Sequence, residues 1–180
     1  GNCLSLVIMT TALARHLNLP VHMRSVFVDE VWTRSKDISY VAGHVNLSLG
    51  VLQRENNWIN VDQQSWIVDF LPEGSGSARR AVEIGESTVV AMFMNNRAAE
   101  TLNLGRLDEA YAWVREAIRA EPRYLASYNT LGVIYRRHGQ MPQAERVLRH
   151  VLRQEPSNVQ ALSNLALVLG DQRREALGLL

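Results

Sequence analysis

The sequence predicts an α+β domain followed by an all-α region built from helical repeats. Apolar residues recur at helical spacing near the N-terminus and then alternate at strand period, which is typical of a helix packed on antiparallel strands. From about residue 91 the pattern changes to helices that repeat at a fixed period. We therefore expect a first domain over residues 1–73, a linker containing Gly and Ser over 74–90, and a repeat region over 91–180.

The composition argues against several classes of function. The chain has 180 residues, enough for one medium domain or two small ones, and a formal net charge of +1. That charge argues against a nucleic-acid partner held by broad neutralisation of phosphates. No stretch approaches the roughly 18 consecutive apolar residues of a membrane span. The single cysteine excludes an intrachain disulfide. No metal-ligand spacing or glycine-rich phosphate loop occurs, so we expect neither a metal nor a cofactor.

The first domain is expected to begin with a helix from Asn2 to Asn18. Residues 21–28, 45–49 and 66–70 then alternate between apolar and polar side chains, as half-buried strands do. A helix followed by antiparallel strands completes the α+β prediction.

The register of two of these strands relates the candidate chemical groups. A tight turn at Asn56-Asn57 is favoured because asparagine tolerates positive φ. If the hairpin ladder continues without interruption from that turn, His44 lies opposite Asp69, and Asn46 shares their face. Asp62 faces His44 instead if the loop near residues 50–56 is longer, so it stays the alternative carboxylate.

The lone thiol lies where a nucleophile is expected. Cys3 falls in the first turn of the first helix, and a helix N-terminus favours the thiolate. His44 would take the thiol proton, and Asp69 would hold the other ring nitrogen. Amides near Asn2 and Cys3 would donate to an oxyanion, and Asn46 is a candidate for lining the site. This chemistry is acyl transfer from an amide or ester through a thioester on Cys3.

The second half repeats at an offset of 34 residues. The pairs at this offset are Gly105 and Gly139, Ala110 and Ala144, Glu121 and Glu155, and Pro122 and Pro156. The order Leu131-Gly132, Tyr135, Gly139, Ala144, Leu148 and Pro156 resembles the tetratricopeptide repeat (TPR) family. We expect units at 91–124 and 125–158 and a partial unit at 159–180, which is irregular or truncated because Gly170 comes early.

The first half resembles the transglutaminase-like (papain-like thiol) superfamily over about residues 1–72. The matching segments are Gly1-Asn2-Cys3-Leu4-Ser5, Ala14 to Pro20, His44-Val45-Asn46 and Trp66-Ile67-Val68-Asp69-Phe70. The resemblance implies a triad of Cys3, His44 and Asp69, and the most similar group is bacterial transglutaminase-like proteins fused to TPR repeats. Because family members usually have sequence before the Cys helix, we expect the first domain to be truncated at its N-terminus.

Together the resemblances imply a cysteine-dependent amide hydrolase or acyltransferase whose TPR repeats bind a protein or peptide. The polar candidates for peptide binding are Asn95, Asn96, Asn129, Arg136 and Asn164. The alternative is a non-catalytic TPR adaptor, because His44-Val45-Asn46 replaces the His-Ala-Trp strand of true transglutaminases. The compartment stays open between the cytoplasm and the periplasm of a bacterium.

Overall fold

A computed structural model describes part of the chain and divides it into two compact units. The described residues are 3–27, 32–35, 38–41, 44–50, 53–55, 58–60, 65–70 and 80–177. The units are Gly1–Val89 and Val90–Leu180. Of the segment expected as a linker, residues 80–83 form a strand of the first unit and a helix begins at Glu86.

The described part of the first unit combines an N-terminal helix with a four-stranded antiparallel sheet. Helix α1 spans Cys3–His16. The sheet has the order β7-β4-β1-β8, formed by β1 Val21–Phe27, β4 His44–Leu49, β7 Trp66–Val68 and β8 Arg80–Glu83. Two short hairpins pair β2 Trp32–Ser35 with β3 Ile38–Val41, and β5 Gln53–Glu55 with β6 Trp58–Asn60.

Strand β4 lies inside this sheet and is buried on both faces. Helix α1 packs against β1 and β4, with Leu4, Val7 and Ala14 in the core. All residues of β4 from His44 to Ser48 are buried, so the expectation of a half-buried strand is wrong here. The reason is position, because a strand paired on both edges and covered by a helix exposes little surface.

The second unit is built of helices, the first of which begins ahead of the boundary at Val90. They are α2 Glu86–Asn103, α3 Leu107–Ala120, α4 Leu125–Arg137, α5 Met141–Gln154 and α6 Val159–Ala176. Helix α4 packs against α3, α5 and α6, and α5 also packs against α6. The buried residues of α3 and α5 are all apolar: Ala110, Val114 and Ala117, then Ala144, Leu148 and Val151.

Glycines set the turns between the helices. Gly105 and Gly139 follow α2 and α4 with φ of 77° and 73°, the left-handed conformation that glycine adopts without strain. Arg173 holds the equivalent place in the next unit, where the chain stays helical. Helix α6 therefore runs for 18 residues, against 13 for α4. The expected irregularity of the third unit is this missing turn.

Helices α4 and α5 approach each other closely at Gly132. A Cβ atom on Gly132 would lie 2.8 Å from two side-chain carbons of Leu148, so the close approach of the two helices requires glycine. Leu148 is fully buried and belongs to a cluster with Ala144, Leu165 and Val168, against which Tyr135 packs. The residues that carry the repeat pattern are therefore the ones that hold this hairpin together.

Candidate functional site

The structure brings His44 and Asp69 together. Nε2 of His44 lies 2.7 Å from Oδ1 and 2.9 Å from Oδ2 of Asp69. A carboxylate only accepts, so Nε2 carries the proton and donates it. His44 is buried to 5% exposure, whereas the Asp69 side chain keeps 32%. The ring is thus held in one tautomer, with Nδ1 as its acceptor nitrogen.

Asn46 supplies a second donor to the same carboxylate. Its Nδ2 lies 2.9 Å from Oδ2 of Asp69, and the side chain is almost fully buried. The amide therefore fixes the orientation of Asp69 at the oxygen that it shares with His44. Asp62 and Asn2 lie outside the described residues.

The strand register that brings these groups together differs from the expected one by two residues. Glu55 pairs with Trp58 as predicted. In the β4–β7 ladder, however, Leu47 pairs with Val68, so its continuation places Asn46 rather than His44 opposite Asp69. A shift of two keeps each side chain on its face. His44 reaches Asp69 as a diagonal neighbour, within range of a long side chain.

The shift arises between the two ladders. Three residues separate Leu49 from Gln53 on one side, and five separate Asn60 from Trp66 on the other. The hairpin is therefore not one continuous ladder, and the two extra residues displace β7 along β4. A displacement by an even number of residues leaves every apolar side chain on the same face of the sheet. The alternation of apolar residues in the sequence therefore could not reveal it.

Cys3 is the first residue of α1, and its thiol is free and half-buried. Its position at the helix start agrees with the prediction, and α1 packs on β4, the strand that carries His44. Both contacts of His44 with Asp69 use Nε2, so Nδ1 is the ring nitrogen that remains for a thiol. The described residues contain no group of three or more His, Cys, Asp or Glu that could hold a metal ion.

Arg24 is a charged residue of this sheet face that sequence reasoning missed. It is 4% exposed and lies opposite Asn46 in β4. Burial lowers the pKa of Arg24, and the nearby charge of Asp69 opposes that shift. The alternation of side chains along β1 could have indicated this position, because Arg24 points to the opposite face from Met23 and Ser25 and therefore shares the face of Asn46.

The repeat region buries most of the asparagines predicted to bind a peptide. Asn95, Asn129 and Asn164 are each 8% exposed or less. Nδ2 of Asn129 donates to Oδ1 of Asn158 at 3.3 Å, and that oxygen also caps α6 by accepting from the amide of Ala161. Asn129 thus joins α4 to the start of α6.

The other two candidates for peptide binding, Asn96 and Arg136, are more exposed to solvent. Asn96 is half-buried, and Arg136 donates from Nε to Oδ2 of Asp171 at 2.6 Å. This ion pair ties α4 to the last turns of α6, with side-chain exposures of 20% and 16%. Arg136 therefore has a packing role in addition to any contact with a ligand.

The comparison with known families agrees with the repeat pattern in the middle of the second unit. The tetratricopeptide repeat family matches residues 125–153, the α4–α5 hairpin. The solved structure of the second TPR domain of the human RPAP3 protein, in complex with an HSP70 peptide, is 27% identical to this chain with a TM-score of 0.42. The match covers 43% of this chain and 65% of that one. No curated protein sequence matches the chain.

The prediction of a TPR region is therefore confirmed at residues 125–153, which match the tetratricopeptide repeat family, whereas the units expected at 91–124 and 159–180 stay predictions. A small strand sheet is present in the first unit, and its transglutaminase-like identity stays a prediction. Among the described helices, none has the length and apolar character needed to cross a membrane.

Proposed function

We propose that the repeat region binds an extended segment of a partner protein, using the face formed by the first helix of each unit. The observation that carries this proposal is the TPR match on the α4–α5 hairpin. Stacked helical repeats form extended binding surfaces, and α4 and α6, the first helices of two successive units, pack against each other.

The candidate side chains on that face are polar, and one of them is oriented by an ion pair. Ser163 on α6 holds the place of Asn129 one repeat later and is exposed. Arg136 presents a guanidinium whose orientation is set by Asp171. An extended peptide offers a row of carbonyl oxygens and amide groups, which such donors and acceptors bind. Buried Asn129 supports the surface from below by linking α4 to α6.

Site-specific photo-cross-linking in cells that express the protein tests this proposal. A photoreactive amino acid replaces Asn96 or Ser163 on the first helices, or, as a matched control, exposed Arg146 on α5. We expect adducts with the same partner from Asn96 and Ser163 and none from Arg146. Equal cross-linking at all three positions, or no adduct at the first two, would contradict binding on this face.

A second function, thiol-dependent acyl transfer, is favoured by the pairing of His44 with Asp69 at 2.7 Å. In this proposal Nδ1 of His44 takes the proton of Cys3, and the thiolate attacks the carbonyl carbon of an amide. Amides at the start of α1 stabilise the oxyanion. The imidazolium gives its proton to the leaving amine as the C–N bond breaks. A thioester on Cys3 remains, which water hydrolyses or a second amine takes over.

Turnover of peptide amides by variants of Cys3 tests the second proposal. Release of a fluorogenic amine from a mixed peptide-amide library reports hydrolysis, and labelling of a glutamine-containing protein with a fluorescent primary amine reports transfer. We expect Cys3→Ala to abolish whichever activity the full chain shows. Activity that survives in Cys3→Ala, or its absence from the unmodified protein, would leave the adaptor role as the function of this chain.

A further inference from the structure

One row of side-chain positions crosses the whole sheet on the face that carries His44. Glu83 in β8 pairs with Arg24 in β1, and Arg24 pairs with Asn46 in β4. Continuing the β4–β7 ladder by one residue adds Asp69. From β8 to β7 the row therefore consists of a carboxylate, a guanidinium, an amide and a carboxylate. The guanidinium, the cation of this row, lies on an inner strand of the sheet.

The guanidinium of Arg24 is incompletely satisfied. Its Nε and Nη1 atoms are buried and, among the residues that the structure describes, have no hydrogen-bond partner. An arginine buried in this way is costly because its charge loses water without gaining a full set of acceptors. The cost is reduced by Asp69, whose negative charge favours the charged form of Arg24. A shape-filling apolar residue would avoid the cost, so a role for the charge itself is favoured.

We propose that Arg24 is a positioning residue for the His44–Asp69 pair. The positive charge of Arg24 keeps Asp69 ionised and opposes protonation of His44 in the resting protein. This inference rests on the proposed thiol chemistry, in which His44 must be neutral to accept a proton. Arg24 already places one positive charge on the face of the sheet that carries His44. Protonation of His44 would add a second positive charge to that face, which the nearby guanidinium disfavours.

Other titratable groups share this region and enter the test. His22 of β1 pairs with Glu83 of β8 at 2.8 Å between Nδ1 and Oε1. Cys3 stands at the start of α1, which packs on β1 and β4. The two histidine–carboxylate pairs, His44 with Asp69 and His22 with Glu83, thus have Arg24 at an intervening position of the sheet.

Nuclear magnetic resonance titration of the His44 ring in the full chain tests the proposal. The Arg24→Met variant removes the charge and keeps much of the side-chain volume. We expect the midpoint of the His44 titration to rise by about one pH unit, the size of effect that a close charge has on a buried group. Arg24→Lys keeps the charge and is expected to leave the midpoint near that of the unmodified protein.

Met23→Leu is the matched control, because Met23 is the adjacent buried residue of β1 on the opposite face. A midpoint in Arg24→Met that moves no further than in Met23→Leu would overturn the proposal. So would an equal rise in Arg24→Lys and Arg24→Met, because the shape of the guanidinium and not its charge would then be responsible.

Arg24→Gln keeps the inference testable if Arg24→Met fails to fold, because glutamine removes the charge and keeps a polar group at this position. Asp69→Asn removes the carboxylate and leaves the charge of Arg24 in place, and we expect the His44 midpoint to fall. Adding Arg24→Gln to Asp69→Asn removes both charges and is expected to raise the midpoint again. Equal midpoints in the single and double variants would overturn the role of Arg24.

The same titrations in a Cys3→Ser background separate this inference from the thiol proposal. We expect the effect of Arg24→Met on His44 to persist there, because it depends on charge within the sheet. If the effect persists and Cys3 shows no chemistry in the unmodified protein, the thiol proposal fails and the role of Arg24 stands. If the effect is absent in both backgrounds, the role of Arg24 fails.

Discussion

The two units of this protein differ in the polar side chains that they bury. In the sheet of the first unit, an arginine and a histidine, Arg24 and His44, are buried on adjacent strands. The buried polar residues described in the second unit carry only uncharged amides and hydroxyls: Asn95, Thr101, Ser127, Asn129 and Asn164. Burying a charged group costs more than burying a neutral polar group unless the charged group finds partners. This difference is the reason that we propose chemistry for the first unit and peptide binding for the second.

The units also differ in how far apart along the chain their key partners lie. His44 and Asp69 are 25 residues apart and meet only when β4 and β7 align. Gly132 and Leu148 belong to consecutive helices of one hairpin that repeats at a fixed offset. A change in the first unit should therefore disturb one cluster, whereas a change in the second should disturb a packing pattern. Four variants test this contrast, in order of decreasing effect.

Asp69→Ala should be the most damaging change. It leaves the Nε2–H of His44 and the Nδ2 amide of Asn46 without their acceptor, at a cost of about 3 kcal/mol for the two groups. Hydrogen exchange of β4 amides measures the loss, with residues 125–153 as the internal reference. Asp69→Asn, which keeps an acceptor oxygen, should lose less. Unchanged exchange in β4 would show that the pair does not support the sheet.

Gly132→Ala should destabilise the second unit by about 2 kcal/mol. The added Cβ would lie 2.8 Å from carbons of Leu148, which is fully buried, so the core has to rearrange to admit it. Chemical denaturation followed by helical circular dichroism measures the change. The control is Gly170→Ala in α6, where no atom lies within 4 Å, and we expect it to stabilise the unit by about 0.5–1 kcal/mol. Equal effects of both changes would contradict the close helix packing.

Asp171→Ala should cost about 1 kcal/mol, because it removes the half-buried ion pair between α4 and α6. The matched control is Glu116→Ala, which removes an exposed ion pair within α3 and is expected to cost a few tenths of a kcal/mol. Denaturation of both variants at low and high salt measures the difference. If Asp171→Ala costs no more than Glu116→Ala, the pair does not join the two helices.

Tyr124→Phe should have the smallest effect at neutral pH, because the phenol of Tyr124 loses its proton only at high pH. Burial raises the pKa of Tyr124 from 10.0 to about 12. A raised pKa favours the neutral phenol in the folded state, so its contribution to stability is complete below pH 10 and is lost as pH rises towards 12. Tyrosinate absorbance of the native protein against Tyr124→Phe isolates this phenol. A phenol that titrates near 10 in the folded state would contradict its burial.

The repeat region could be predicted from sequence because its order is local. The 34-residue offset identified Gly105 and Gly139, and the TPR pattern identified Gly132 and Leu148, since each of these residues acts within one turn or one hairpin. The surface of the repeats was harder to predict. Asn95 and Asn129 look like ligand-binding groups in sequence, yet both are buried, because a helix face is covered by neighbours that sequence spacing does not reveal.

The sheet was predicted less completely because its register depends on chain between the strands. The alternation of side chains along each strand correctly predicted that His44, Asn46 and Asp69 lie on one face of the sheet. The ladder position of His44 was wrong by two residues, because two extra residues lie between β6 and β7. Arg24 was missed because a charged residue in an alternating strand suggests a solvent-facing position, whereas β1 lies between β4 and β8.

The pH dependence of Cys3 alkylation tests the central contrast most directly. The chain has one cysteine, so iodoacetamide incorporation measured by mass spectrometry reports Cys3 alone. If the His44–Asp69 pair activates the thiol, the alkylation profile of the unmodified protein should have its midpoint at a pH well below about 8.5, the value that is typical of a free cysteine. His44→Ala should then move the profile up to that value, whereas Asp171→Ala in the other unit should leave it unchanged. Identical profiles near 8.5 for all three proteins would contradict the thiol site and leave peptide binding as the role of the chain.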